Sequence, residues 1–193
     1  ALLLTALGCI ILSMGLPSAA AYVVVATVAA PAIIQLGIAP MAAHMFVLYF
    51  AIISNITPPV ALASYTAAGL AGANPTEVGW KAMKLALAGF IIPFMFAFAP
   101  QLILVDFKFP AIIINILTAC IGVLALAAAT SSFKLFRRVN KPERLLFFAG
   151  ALTLIHPSIM SDIIGVGLLV LALVSNKIIH RKETIKSAKN GKA

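Results

Sequence analysis

Ser54-Asn55-Ile56-Thr57-Pro58-Pro59 is the stretch whose residue types can do chemistry. It interrupts an apolar run from Met41 to Leu70 that carries no formal charge. Thr57 precedes a proline and is biased away from the α region, while Pro58 and Pro59 supply no N–H donors. A helix entering here is expected to stop and restart, leaving carbonyls without intrahelical partners. In hydrocarbon, such a break persists only where protein, an ion or water replaces the lost hydrogen bonds. Unwound backbone beside Ser, Asn and Thr is a recurring way to hold a cation or substrate near the bilayer midplane. The competing reading is a proline kink whose carbonyls are satisfied by neighbouring helices.

The elements that must position this stretch are membrane elements. The chain has 193 residues, 63% hydrophobic and only 10% charged, with a mean hydropathy of +1.12. A soluble domain of this size needs more charge to cover its surface, so the sequence reads as an all-α integral membrane protein. Its first formal charge is Glu77, and so long an uncharged stretch must fold back on itself. Ala1 begins directly in apolar sequence without a basic leader, which reads as a C-terminal piece of a longer protein rather than a signal peptide.

The net charge of +9 resides in two stretches, Lys134 to Arg144 and Lys177 to Ala193. Both flank apolar spans, so they read as cytoplasmic segments obeying the positive-inside rule and not as a nucleic-acid surface. Lys81 and Lys84 join them on that side, with Asp106-Phe107-Lys108 opposite. Cys9 and Cys120 lie in apolar sequence without metal-ligand spacing and read as small core residues.

Ala1 to Met14 and Ala19 to Leu36 are apolar limbs around Ser13-Met14-Gly15-Leu16-Pro17-Ser18. They form either a re-entrant hairpin with a small polar tip, which the tip composition favours, or the end of one helix followed by another. Gly37-Ile38-Ala39-Pro40 is a turn into the broken helix, whose second half is expected over Val60 to Leu70. Thr76 reads as an N-cap, with Glu77 in the first turn of a short amphipathic helix bearing Trp80, Lys81 and Lys84, an interfacial anchor. A full-length span is expected over Leu85 to Leu104 and another over Ala111 to Phe133. Leu145 to Ile155 and Ile163 to Asn176 make either one bent helix or a second hairpin around His156 to Asp162.

The order of these features resembles the large membrane subunit of tripartite ATP-independent periplasmic (TRAP) transporters. The matching residues are Gly8-Cys9, Gly15-Leu16-Pro17-Ser18, Gly37-Ile38, Asn55-Ile56-Thr57-Pro58-Pro59-Val60, Ala67-Ala68-Gly69-Leu70-Ala71 and Glu77 to Lys84. They span about residues 1–105, which resemble the second inverted repeat of that subunit. Gly15 to Tyr22 looks most like the fused permeases, which work with a periplasmic solute receptor of the TAXI type. The resemblance implies an elevator fold: a transport domain of hairpin and broken helix over 1–76, an amphipathic arm and scaffold span over 77–105, additional C-terminal transmembrane helices over 106–180, and a basic cytoplasmic tail over 181–193.

It also implies a multi-pass permease of a bacterial or archaeal inner membrane, importing small organic acids down an ion gradient. Carried over residue by residue, the ion or substrate site comprises Ser13, Gly15, Pro17 and Ser18 at the tip, and Ser54, Asn55, Thr57 and Pro58 at the break. Sodium is the implied coupling ion, at Ser54, Asn55 and Thr57, with protons the alternative. Hard oxygen ligands suit sodium, and helix starts at Ser18 and Val60 would offer positive dipole ends to an anionic substrate. The implied partners are the receptor, the remainder of the permease, the lipid bilayer and the organic acid; no nucleic acid and no enzymatic cofactor is expected.

Two other classes compete. An intramembrane enzyme needs paired catalytic groups, and the candidates are thin: His44 stands alone on its helix, and His156 with Asp162 is explained equally by a polar turn. A channel or structural subunit would need a pore-lining charge ring or carbonyl filter, and none stands out. Tyr22, Tyr49, Tyr65 and Phe50 lie near the polar breaks, where packing competes with substrate contact.

Overall fold

The computed structural model describes residues 1–105, 109, 111–130, 141–154, 160–172 and 174–175, and among these every regular element is helical. The order is α1 (Leu2–Ser13), α2 (Ser18–Gln35), α3 (Pro40–Ile53), α4 (Leu62–Leu70), α5 (Pro75–Leu85), α6 (Ile92–Phe98), α7 (Ala111–Thr130) and α8 (Lys141–Thr153), followed by α9 (Met160–Ala172). The chain divides into two compact units, Ala1–Leu117 and Thr118–Ala193.

In the first unit α3 is the core. Ala42, Ala43, Phe46, Val47 and Ala51 are fully buried, and α2 contributes Val25, Ala30 and Ile33. Phe46 and Phe50 meet in a tilted pair at 4.8 Å between ring centroids, and Phe94 meets both edge-on at 5.2 and 5.7 Å. The exterior is apolar as well as the core, for Leu3, Leu4, Val28 and Leu70 are largely exposed. Such a surface suits hydrocarbon. Two helical stretches, Ser18–Gln35 and Pro75–Phe98, are long and apolar enough to cross a membrane. The 12-residue α1 and 14-residue α3 are individually shorter than a span.

Two local expectations are corrected. The N-cap of α5 is Asn74, not Thr76: Asn74 Oδ1 accepts from the Glu77 N–H at 3.2 Å. Pro75 then takes the first helical position, where its missing donor costs nothing. The expected single span over Leu85 to Leu104 is divided into a 3₁₀ turn at Ala86–Ala88, helix α6, and a second 3₁₀ turn at Pro100–Ile103. Pro93 and Pro100 each open a new segment because neither can donate to the turn before it.

In the second unit, small residues allow close helix contact. Gly122 of α7 lies against Leu154, and Gly150 of α8 lies against Leu169 and the Gly165 carbonyl of α9. Thus α8 and α9 run side by side as a hairpin rather than one bent helix. Arg144, placed with the basic loop by the sequence, caps the end of α7: its Nε donates to the Ala129 carbonyl at 2.8 Å and its Nη2 to Thr130 at 3.2 Å. The expected Asp106–Lys108 loop, residues 131–140 of the basic loop, residues 155–159 of the His156 turn and the 181–193 tail fall outside the described residues.

Candidate functional site

The helix through α3 stops at Ile53, tightens into a 3₁₀ turn at Ser54–Ile56, and resumes only at Leu62. Thr57 is extended, at φ −98° and ψ 119°, as its proline neighbour demands. The Pro58–Pro59 bond is cis, and Ala61 adopts a left-handed conformation at φ 37°. Fully buried, Ala61 donates its N–H to the Thr57 carbonyl at 3.2 Å, and its own carbonyl accepts from Tyr65 N–H at 2.9 Å. Left-handed alanine costs about 1–2 kcal/mol, and such strain clusters at ligand sites and switches.

The carbonyls freed by the break are met by side chains from the same stretch. Ser54 Oγ donates to the Ala51 carbonyl at 2.7 Å, Thr57 Oγ1 to Ile53 at 2.8 Å, and Asn55 Nδ2 to Ile52 at 3.4 Å. Tyr65 reaches back from α4, its hydroxyl donating to the Pro59 carbonyl at 2.9 Å. These residues are polar because the backbone they sit on has lost its own partners.

At the hairpin tip, α1 ends at Ser13 and α2 begins at Ser18, with Gly15 at φ +80° making the reversal between them. That conformation is open to glycine without strain. Ser13 Oγ donates to the Cys9 and Ile10 carbonyls, and the Ser13 carbonyl accepts from the Leu16 N–H at 3.3 Å across the tip.

Tip and break meet. Ser54 Oγ lies 3.4 Å from the Ser13 carbonyl, with both residues buried. Asn55 Nδ2 lies 3.4 Å from Ser18 Oγ on the open side, and a Cβ built on Gly15 would sit 3.8 Å from Val60. The result is two levels of contact: Ser13 with Ser54 inside, Ser18 with Asn55 toward the exterior, while buried Thr57 bonds the Ile53 carbonyl within the break. A hydroxyl that donates to a carbonyl keeps its lone pairs, so these oxygens remain acceptors. No charged side chain lies among them. A small hard cation is the species that such a set of neutral oxygens suits. Among the described residues no group of three or more His, Cys, Asp or Glu gathers to hold a metal.

Pro17 is exposed at the start of α2, its carbonyl accepting from Ala21 N–H at 2.8 Å. Pro58 packs beside Gly79 of α5: a Cβ there would stand 3.4 Å from its ring and 2.9 Å from that of Tyr65. The second half of the break begins at Leu62, not Val60, because Ala61 spends its conformation on the reversal.

The aromatic residues near the break have packing partners. Phe50 is core, and Tyr49 meets Phe96 edge-on at 5.6 Å. Tyr22 OH and His44 Nδ1 pair at 2.9 Å, joining α2 to α3. Left-handed Ala61, the close seat at Gly79 and buried Ser64, whose hydroxyl finds no hydrogen-bond partner among the described residues, were not foreseen. Residue type alone carries no signal for the first two. Ser64 announces itself only as a hydroxyl in the first turn after a break.

The family model of the tripartite ATP-independent periplasmic transporter, DctM component, matches residues 1–112. No curated protein and no solved structure matches the chain.

Proposed function

The chain belongs to the DctM component family of tripartite ATP-independent periplasmic transporters, and from that premise we propose that its tip and break form the ion site of an organic-acid symporter. The family is one of transporters, not enzymes. The observation that carries the reading is the convergence of Ser54 Oγ on the Ser13 carbonyl and of Asn55 on Ser18. Sodium is the coupling ion in this reading, held by oxygens of Ser13, Ser54, Asn55 and Thr57. Gly15 supports it as the reversal, Pro17 and Ser18 as the start of α2, and Pro58 by holding the backbone open.

An anionic carboxylate substrate then sits beside the cation, drawn by it and by the exposed N-terminal turn of α2 at Ser18. The two halves of the site come from two elements, so ion binding orders both together and substrate affinity rises with it. The proposal extends to an elevator in which residues 1–76 move against a scaffold, to multi-pass residence in the inner membrane, and to a fused permease served by a TAXI-type periplasmic receptor. Proton coupling is a second reading, favoured by one observation: His44 Nδ1 of α3 pairs with Tyr22 OH of α2 at 2.9 Å.

Proteoliposomes containing the permease and its receptor test this. Uphill uptake of a ¹⁴C-labelled organic acid on an inward sodium gradient, lost in Asn55→Ala, supports sodium symport. Uptake driven by a pH gradient and lost in His44→Ala supports the second reading. Downhill ion leak without substrate accumulation rejects both.

A further inference from the structure

Tyr65 bonds the break at two points while standing outside the residues assigned to the ion. Its hydroxyl donates to the Pro59 carbonyl at 2.9 Å, and its N–H donates to the Ala61 carbonyl at 2.9 Å. A helical side chain leans toward its own N-terminus, so a long one early in α4 reaches back over the break.

Those two bonds fix a path into the site. Ala61 donates in turn to the Thr57 carbonyl at 3.2 Å, and Thr57 is one of the residues assigned to the ion. Between the two held carbonyls lies Val60, the residue that a Cβ on Gly15 would meet at 3.8 Å across the tip. Holding Pro59 and Ala61 therefore sets how the far arm of the break stands against the tip. The ring is itself held from behind. Gly79 is buried in α5, and a Cβ there would lie 2.9 Å from Tyr65 Cε1 and 3.8 Å from Ala61 Cβ. Glycine lets the α5 backbone come up to the ring, which leaves the ring no room to swing away from Pro59 on that side.

We infer that Tyr65 is a positioning residue for the cation, acting through the Pro59 carbonyl, with α5 at Gly79 as its backstop. It does not touch the ion; it keeps the 59–61 arm in the shape that sets the site oxygens against the tip. A loosened arm takes up that shape less often, and apparent affinity falls by the same fraction. The inference rests on the ion site proposed above and adds what holds that site in shape.

The test is binding of radioactive sodium to the intact permease in detergent, displaced by unlabelled sodium, which yields the number of sites and their affinity separately. Tyr65→Phe keeps the ring against Gly79 and removes only the donor. It should keep the number of sites per protein and weaken sodium by about two- to tenfold, the equivalent of one hydrogen bond. Gly79→Ala pushes the ring from the other side and should also weaken sodium. Added to Tyr65→Phe it should change little more, because both act through one bond. Tyr49→Phe, on a ring that packs against Phe96, should bind as the parent does. Unchanged affinity in Tyr65→Phe overturns the inference and leaves the ion site standing. Loss of sites at unchanged affinity overturns it too, since that marks a merely structural tyrosine. Additive losses in the double variant overturn the role given to α5. A parent that binds no sodium overturns the ion site itself, and this inference with it.

Discussion

Two regions of the first unit are broken by proline, and they resolve the break differently. At residues 54–61 the lost helical bonds are replaced by Ser54, Asn55, Thr57 and Tyr65 side chains, and the stretch faces the polar hairpin tip. At residues 86–104 the chain re-satisfies itself through short-range backbone bonds, among them Gly89 N–H to Ala86 at 2.7 Å and Ala99 N–H to Met95 at 2.7 Å. The side chains there are apolar except Gln101, whose buried Oε1 has no partner among the described residues. Proline alone therefore makes an interruption. Hydroxyls and an amide brought against a second polar turn make a site.

The largest expected effect comes from closing the space behind the first break. Gly79→Leu puts a Cβ 2.9 Å from the Tyr65 ring, and overpacking of this kind costs about 1–3 kcal/mol. Tyr65 cannot give way without releasing the Pro59 carbonyl, so the detergent melting temperature and transport should fall together. Gly69→Ala, where nothing lies within 4 Å of the new Cβ, should be neutral or slightly stabilising because it improves helix propensity.

Next in size is Thr57→Val, which keeps the shape and strips one donor from the buried Ile53 carbonyl. The Ile53 carbonyl still accepts within the 3₁₀ turn at Ser54–Ile56, so the loss is that of one net hydrogen bond, about 0.5–1.5 kcal/mol. The matching change in the second interruption, Gln101→Leu, removes an acceptor that is already unpartnered and should be neutral or stabilising by the same melting assay. If Gln101→Leu proves as harmful as Thr57→Val, the distinction between the two breaks fails. The smallest effect is Ser64→Ala, whose hydroxyl has no partner to lose among the described residues. Without ligand its melting point should stay within a degree or two of the parent, an energy on the order of 0.5 kcal/mol.

Much of the first break was legible because its signals are local. Thr-Pro-Pro sets φ and removes donors whatever the surroundings, and an uncharged run cannot hide a polar cluster. The hairpin followed similarly from a small polar tip between apolar limbs. Two features were not legible, and both depend on contacts between distant residues. Ala61 is left-handed because the chain must turn back toward Tyr65, which no alanine announces. Gly79 is small because Tyr65 and Pro58 stand against it. Apolar composition over 85–104 points to one span, whereas Pro93 and Pro100 divide it locally. The Asn74 cap was misread in favour of Thr76, although Asn-Pro is the stronger start: the proline belongs at the first helical position.

The central claim is that the break and tip hold an ion together, and its most direct measurement is a melting temperature in detergent across a sodium titration at fixed ionic strength. A ligand that binds only the folded protein stabilises it by roughly 2.7 kcal/mol at a hundredfold excess over its dissociation constant. The parent protein should therefore melt progressively higher as sodium replaces a larger inert cation. Asn55→Ala and Thr57→Ala should start lower and climb less, because each removes an oxygen from the cluster. Equal slopes in all three proteins would contradict the assignment of these side chains to the ion, and a flat parent would contradict sodium binding altogether.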